Sequence, residues 1–327
     1  MDYCLNGSCI VLKRFVVLVL CLLAVLTSCG QAGNQGELKK VGLLITDSVN
    51  DQAWGTKGYK GLLKIQSRFN VDVYYKEGMN SKSVVERAVK EYSQKGVNLI
   101  YGHGHEYDEY FSELSPKYPD IHFITFNGDA KNKNVTSLIL DSYASGFFAG
   151  MVAGHMTKSN RIGIIPAYEW QPEVKGFYEG VKYQNKNAQL NIQYVNDFDD
   201  KEKALQIAND MIANQYDILY PAGDSFSVPV IERVKEMGLY AIGYVSDQSD
   251  LGNKTVLTST IQEVDKLYEN TAEKFNLGQL ESGNITYDFQ SDIISIGTFS
   301  PIIEQDFIDE INQSIQKYKE TGELPNE

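Results

Sequence analysis

The chain has 327 residues, 43% of them hydrophobic and 22% charged, an ordinary globular composition with length enough for a full core and about two domains. Its formal net charge is −13 and it holds no run of clustered Lys or Arg, so phosphate backbones would be repelled and direct nucleic-acid binding is not expected. All four cysteines, Cys4, Cys9, Cys21 and Cys29, fall in the first 29 residues, which excludes a disulfide framework, a cysteine zinc site and a buried catalytic thiol from the body of the chain.

Residues 1–28 read as a lipoprotein signal peptide. Lys13 and Arg14 precede the apolar run Phe15 to Leu26, and Thr27, Ser28 and Cys29 follow. The run is shorter than the roughly 20 apolar residues that a spanning helix needs, and a basic pair before it with small residues after it describes a secretory signal. The alternative is an uncleaved N-terminal anchor. LTSC resembles the bacterial lipobox, in which cleavage precedes a Cys that carries the lipid, so Cys29 is the expected lipidation site. Residues 29–37 then form the lipidated cysteine and a flexible Gly/Gln tether. The expected location is the extracytoplasmic face of the cell membrane, held by the lipid anchor.

From residue 38 strands and helices alternate. VGLLIT (41–46) is a buried strand, and Trp54 opens a helix to about Arg68. VDVYY (71–75) is the second strand. A helix from Ser81 to Lys95 follows, with Val84, Val85, Ala88, Val89 and Tyr92 on one face and Ser83 with Glu86 matching a capping box. VNLIYG (97–102), a helix from Glu106 to Ser115 and the strand IHFITF (121–126) complete the first series. In the next stretch, Asp141 to Met156, small residues recur at helical spacing, which lets a second backbone approach closely. Three glycines cost such a helix roughly 1 kcal/mol each, so close packing is the expected compensation.

RIGIIP (161–166) starts the pattern again. A helix from about Gln171, QLNIQYV (189–195), a helix from Lys201 to Asn214, DILYPAG (217–223), a helix from Val228 to Glu236 and LYAIGYV (239–245) answer the first series in order. VLTSTI (256–261) is expected to return to the first lobe, followed by a helix to about Gly278. Residues 286–327 hold a further strand pair and a last amphipathic helix. The pattern implies an α/β chain of two lobes, each a mostly parallel sheet flanked by helices. The expected division is 38–145 plus 256–283 for lobe 1 and 146–255 plus 284–327 for lobe 2. Ligands of such sheets sit outside the carboxyl ends of the strands, which places a cleft between the lobes.

The loops at those ends supply the candidate ligand residues Asp51, Trp54, Tyr101, Asn127, Trp170, Gly223, Asp224, Phe226 and Asp247, with Tyr107, Tyr168 and Tyr244 beside them. Aromatic planes with a few directed polar groups suit a flat, hydroxyl-bearing ligand such as a nucleoside or sugar. The alternative is that half of them pack between the lobes. His103 and His105 lack a third ligand at a recognised metal spacing and are read as lining the cleft or a solvated loop; His122 and His155 are read as structural. No metal and no cofactor is expected. There is no GxSxG elbow, P-loop or GxGxxG and no nucleophile–base pair, so the expectation is a binding protein and not an enzyme.

GFFAGMVAGHMTKSNRIGII, GFYEGVKYQNKNAQ, DILYPAGD, LYAIGYVSDQSD and VLTSTIQEVD resemble, in order, stretches of the basic membrane protein family across about residues 38–322. That resemblance implies a lipoprotein with a two-lobed, type I periplasmic-binding-protein-like fold. Several members bind purine nucleosides for ABC importers, which implies a nucleoside-like ligand and an ABC permease or a signalling partner. DQAWGTKGYKG, WQPEV, YPAGDSFSVPVI and YAIGYVSDQSDLG resemble a regulatory member of the family, and imply positive regulation of a competence transcription factor's expression, exerted indirectly. The importer role is the alternative. Importer members usually carry an Asp that contacts the ligand's ribose where this chain has Val245, a Lys at Gln262, an Asn at Gly55, and a glycine-rich loop at Gly223–Asp224–Ser225–Phe226. A site that reads hydroxyls through such groups loses discrimination without them.

Overall fold

The computed structural model describes residues 37–46, 48–50 and 54–327. The signal, Cys29, the tether to residue 36 and Asp51 lie outside the described residues. Within them twelve strands and nine α-helices alternate. The first series is β1 (Lys40–Leu44), α1 (Trp54–Phe69), β2 (Asp72–Lys76), α2 (Lys82–Gln94), β3 (Leu99–Gly102), α3 (Tyr107–Leu114), β4 (His122–Phe126) and β5 (Val135–Leu140). The second is α4 (Tyr143–Met156), β6 (Arg161–Pro166), α5 (Pro172–Gln184), β7 (Gln189–Ile192), α6 (Lys201–Ala213), β8 (Ile218–Ala222), α7 (Ser227–Glu236) and β9 (Tyr240–Gly243). Then come β10 (Val256–Gln262), α8 (Val264–Asn276), β11 (Gly283–Tyr287), β12 (Ile294–Ile296) and α9 (Gln305–Thr321). No helix of the described residues is long and apolar enough to cross a membrane.

The strands form two six-stranded sheets. The first has the order β11-β5-β4-β3-β1-β2 with every pair parallel. The second has the order β12-β10-β9-β8-β6-β7, parallel except for the antiparallel pair β10–β12. Central strands such as β3, β4 and β8 are buried along their whole length, as expected where helices cover both faces.

Four details differ from the sequence reading. VTSLIL (135–140), passed over there, is β5, sandwiched between β4 and β11. VLTSTI, expected in the first lobe, is β10 of the second sheet, where Thr258 donates to the Gly297 carbonyl and Thr260 to that of Gly243. The chain returns to the first body one element later, when α8 packs along α1. Residues 284–287, expected in the second lobe, belong to β11 in the first sheet. An apolar, threonine-bearing run fits the middle of either sheet; available backbone partners decide which one it joins. Finally, the helix start expected at Ser81 holds, but Ser81 itself and not Ser83 is the N-cap of α2, since Val84 and Val85 donate their amides to the Ser81 carbonyl. Ser83 is thereby inside the helix and the capping box does not form.

The helix α4 is apolar all round, and every residue from Ala144 to Gly154 is buried. It lies against α5 with the two backbones in contact. A Cβ on Gly150 would sit 2.2 Å from the Phe177 carbonyl oxygen, and one on Gly180 1.9 Å from that of Phe147. The close packing expected as compensation for the α4 glycines is what this crossing supplies.

Candidate functional site

A cleft of about 400 Å³ opens at the carboxyl ends of the strands of both sheets. The first sheet contributes Thr46 after β1, His103 to Glu106 after β3, Phe126 and Asn127 at the end of β4, and Ser142 after β5. The second contributes Tyr168 and Trp170 to Glu173 after β6, Asp197 to Asp199 after β7, Asp224 after β8, Tyr244 after β9 and Gln262 at the end of β10. This is the place at which parallel open sheets bind ligands.

The first wall is built on His103. Its buried ring stacks on Trp54, with centroids 4.5 Å apart and planes 12° apart, and both rings meet the edge or face of Phe126. Nε2 lies 2.7 Å from the Trp54 carbonyl oxygen, which can only accept, and Nδ1 lies 2.8 Å from the Tyr268 hydroxyl. The Trp54 indole N–H donates back to the His103 carbonyl at 3.3 Å. Gly58 makes room for this arrangement, since a Cβ there would lie 2.7 Å from the imidazole. His103 therefore orients Trp54 toward the cleft.

The second wall is aromatic and acidic. Tyr168 stacks on Trp170 with centroids 5.8 Å apart, and Phe198 packs against both. Burial raises the Tyr168 hydroxyl's pKa, with help from the charges of Asp197 and Asp199. Glu106, Glu173, Asp197, Asp199 and Asp224 all line the cleft, and no Lys or Arg is among its described lining residues.

The floor is a hydrogen-bonded knot at the start of α5. The buried Glu173 carboxylate accepts from the Ser142 hydroxyl and, at 3.0 Å, from the Gln171 amide. That amide also reaches the Ala222 carbonyl and the Tyr244 hydroxyl, each at 3.1 Å, while its oxygen accepts from the Tyr168 N–H at 2.8 Å. Glu173 sits in the first turn of α5 behind Pro172, where the helix dipole favours a negative charge. Burial, followed by the charges of Glu173 and Asp224, drives the Tyr244 pKa well up, so its hydroxyl stays protonated.

Of the residues singled out from sequence, Trp54, Asn127, Trp170 and Asp224 line the cleft, with Tyr168, Tyr244, Gly55 and Gln262. Others face elsewhere. Tyr101 is fully buried, stacked on Tyr268 and hydrogen-bonded to Thr271 at 2.8 Å. Phe226 is a core side chain whose ring lies over Gly223, and Tyr107 is likewise core. Asp247 turns to Thr298 and Ser249: burial pushes its carboxyl up, but the hydrogen bonds outweigh it and hold the pKa below the usual value. Val245 is buried with φ at +62°, a conformation rarely adopted by a β-branched residue. Sequence reasoning missed Gln171, Glu173, Asp197 and Asp199. The Pro172–Glu173 helix start was a readable signal; the two aspartates lie in a polar loop that resembles any solvated turn.

The profile of the Bmp family, described as ABC transporter substrate-binding protein PnrA-like, matches residues 38–327. The chain belongs to this family. Among Bmp relatives, transcriptional activator protein med of Bacillus subtilis is 49% identical over 310 residues, spanning 95% of this chain and 98% of that protein. Basic membrane protein A of Borreliella burgdorferi is 25% identical over 263 residues, 77% of each chain. A solved structure of a transcriptional activator of the comK gene from Bacillus halodurans superposes with a TM-score of 0.82 at 46% identity, covering 88% of this chain and 99% of that one. An ABC solute-binding protein from Aeropyrum pernix superposes at 0.71 with 19% identity, covering 88% and 81%, which shows a shared fold alone.

Proposed function

We propose that this chain is a regulatory lipoprotein of the solute-binding type, a positive regulator of competence transcription that acts from outside the membrane without touching DNA. The observation that carries the reading is the 49% identity with the Bacillus subtilis activator over nearly the whole of both chains. The acidic balance of the chain argues for an indirect route, because a body of net charge −13 repels nucleic acid. In this reading Cys29 carries the lipid, the cleft senses a small solute, and a membrane protein relays the state; there is no catalytic step.

Complementation tests it. A Bacillus subtilis strain lacking its own activator, given this chain, should recover expression from a comK reporter, and Cys29→Ser should lose most of it. Specific binding of the purified protein to promoter DNA at physiological salt, or no recovery despite normal protein levels, would overturn the reading.

A second reading, a nucleoside-binding subunit of an ABC importer, is favoured by the family's description as substrate-binding proteins and by Trp54 in the cleft wall. Calorimetry with adenosine, guanosine and inosine decides it. Heat at micromolar ligand supports the importer role, and silence at high micromolar concentration removes it.

A further inference from the structure

β7 ends the second sheet, with β6 as its one neighbour among the described residues. The Gln189, Gln193 and Val195 amides donate inward, to the Asn160, Ile164 and Pro166 carbonyls at 2.7, 3.0 and 2.9 Å. The pleat then turns the backbone N–H and C=O groups of Leu190 and Ile192 outward, past the edge of the sheet. Such an edge is normally guarded by a charge, a proline or a bulge. β2, at the edge of the first sheet, carries Asp72 and Lys76. Residues 189–195, QLNIQYV, hold no charge and no proline. We propose that β7 pairs antiparallel with β7 of a second copy of this chain, about a twofold axis at Asn191.

Side-chain chemistry selects this register. Gln189, Asn191 and Gln193 share one face of the strand and line an open recess of about 330 Å³ with Arg161 and Asn214. Pairing about Asn191 sets that residue against its own copy and Gln189 against Gln193. Every amide then meets an amide, a group that both donates and accepts. The outward backbone groups of Leu190 meet those of Ile192, which closes one hydrogen-bonded pair on each side of the axis. Charge selects the antiparallel sense. Exposed Lys186 precedes the strand and exposed Asp197 follows it at a similar distance from Asn191. Opposite signs therefore meet at both ends, whereas a parallel pair would set like beside like. A strand this short makes a small interface, so the pair is expected to be weak and to form where copies are concentrated on one surface.

Cysteine trapping tests the axis. At a non-hydrogen-bonded antiparallel pair the Cα atoms lie about 4.5 Å apart, within disulfide reach. Residue 189 would lie roughly 13 Å from residue 189 of the copy, beyond it. The full chain in detergent is oxidised with copper phenanthroline, and the linked peptides are identified by mass spectrometry. Asn191→Cys should form the 191–191 link at least about tenfold faster than Gln189→Cys forms the 189–189 link. Glu320→Cys, exposed on α9, sets the rate of random collision and should be as slow as Gln189→Cys. An equal mixture of Gln189→Cys and Gln193→Cys chains should give the 189–193 link. Asn191→Lys in both of those chains sets like charges on the axis and should slow that link roughly threefold or more. Thermal melts confirm that each variant is folded. Equal rates at 191, 189 and 320 overturn the pairing and leave the edge to solvent or to a strand of another protein. A 189–189 link faster than the 191–191 link overturns the axis, and a 189–193 link that Asn191→Lys leaves unchanged also overturns the proposal.

Discussion

Two residues hidden from solvent set how this protein should respond to mutation and to pH. Gln171 is buried and its amide ties together the Tyr168 N–H, the Glu173 carboxylate, the Ala222 carbonyl and the Tyr244 hydroxyl. Gln171→Ala strands several of these groups and should cost about 1–3 kcal/mol, measured as a shift in the denaturation midpoint. An unchanged midpoint would mean that water replaces the amide. His122 is buried in β4 beside the Thr136 hydroxyl, 2.7 Å away, and burial pushes its pKa down to about 4. The folded state therefore binds fewer protons than the unfolded one between about pH 4 and the ordinary histidine value near 6.5. Stability from this group is fully present above that window and falls as pH drops through it, by on the order of 3 kcal/mol in all. Denaturation at pH 7, 5.5 and 4 should show a steeper acid loss for the parent than for His122→Gln; parallel slopes would exclude His122 as the cause.

At the scale of elements, the crossing of α4 and α5 is the packing decision that positions the floor of the cleft. Glu173 and Gln171 sit at the start of α5, and their height relative to Ser142 depends on how closely the two helices approach. Gly180→Ala would drive a methyl group into the Phe147 carbonyl. Neither backbone can yield without moving its sheet, so the cost should be at least the 1–3 kcal/mol typical of overpacking. The expected result is a lower midpoint together with a change in Tyr and Trp fluorescence as the floor shifts. A variant as stable as the parent would show that the helices can separate freely. The small-residue pattern of α4 was legible in the sequence because its spacing is local. Its partner, with Gly176 and Gly180, was not, since nothing in a helical period says which other helix will lie against it.

For the whole molecule, the route of the chain between the two sheets matters most. β10 ends in the second sheet, and α8 then packs along α1 beside the first. At that passage Lys57 of α1 donates to the Gln262 carbonyl at 2.8 Å. Burial lowers the Lys57 pKa, against the opposing pull of Glu263 and Asp265. Lys57 thus holds the crossing from the first body. Lys57→Met should speed amide hydrogen exchange across residues 262–266 while leaving the strands of both sheets protected. Uniform acceleration would mean that the substitution destabilises the protein globally and that this contact is not a local tether.

What local sequence decides here is the succession of elements, because buried parallel strands and amphipathic helices leave their periods in the chain. Strand–helix alternation, its repetition after residue 160 and the family resemblance all follow from such local marks. Tertiary structure alone decides which sheet a strand joins and which loop residues share a cavity. VLTSTI would fill either sheet, and its position was settled by the backbone partners that β9 and β12 offer. Tyr101 and Phe226 looked like binding aromatics but sank into the core, since an aromatic at a strand end points inward or outward according to register and packing. Asp197, Asp199 and Glu173 are far apart in sequence from His103 and Trp54, and only the folding of two sheets toward one opening brings their charges and rings to the same cleft.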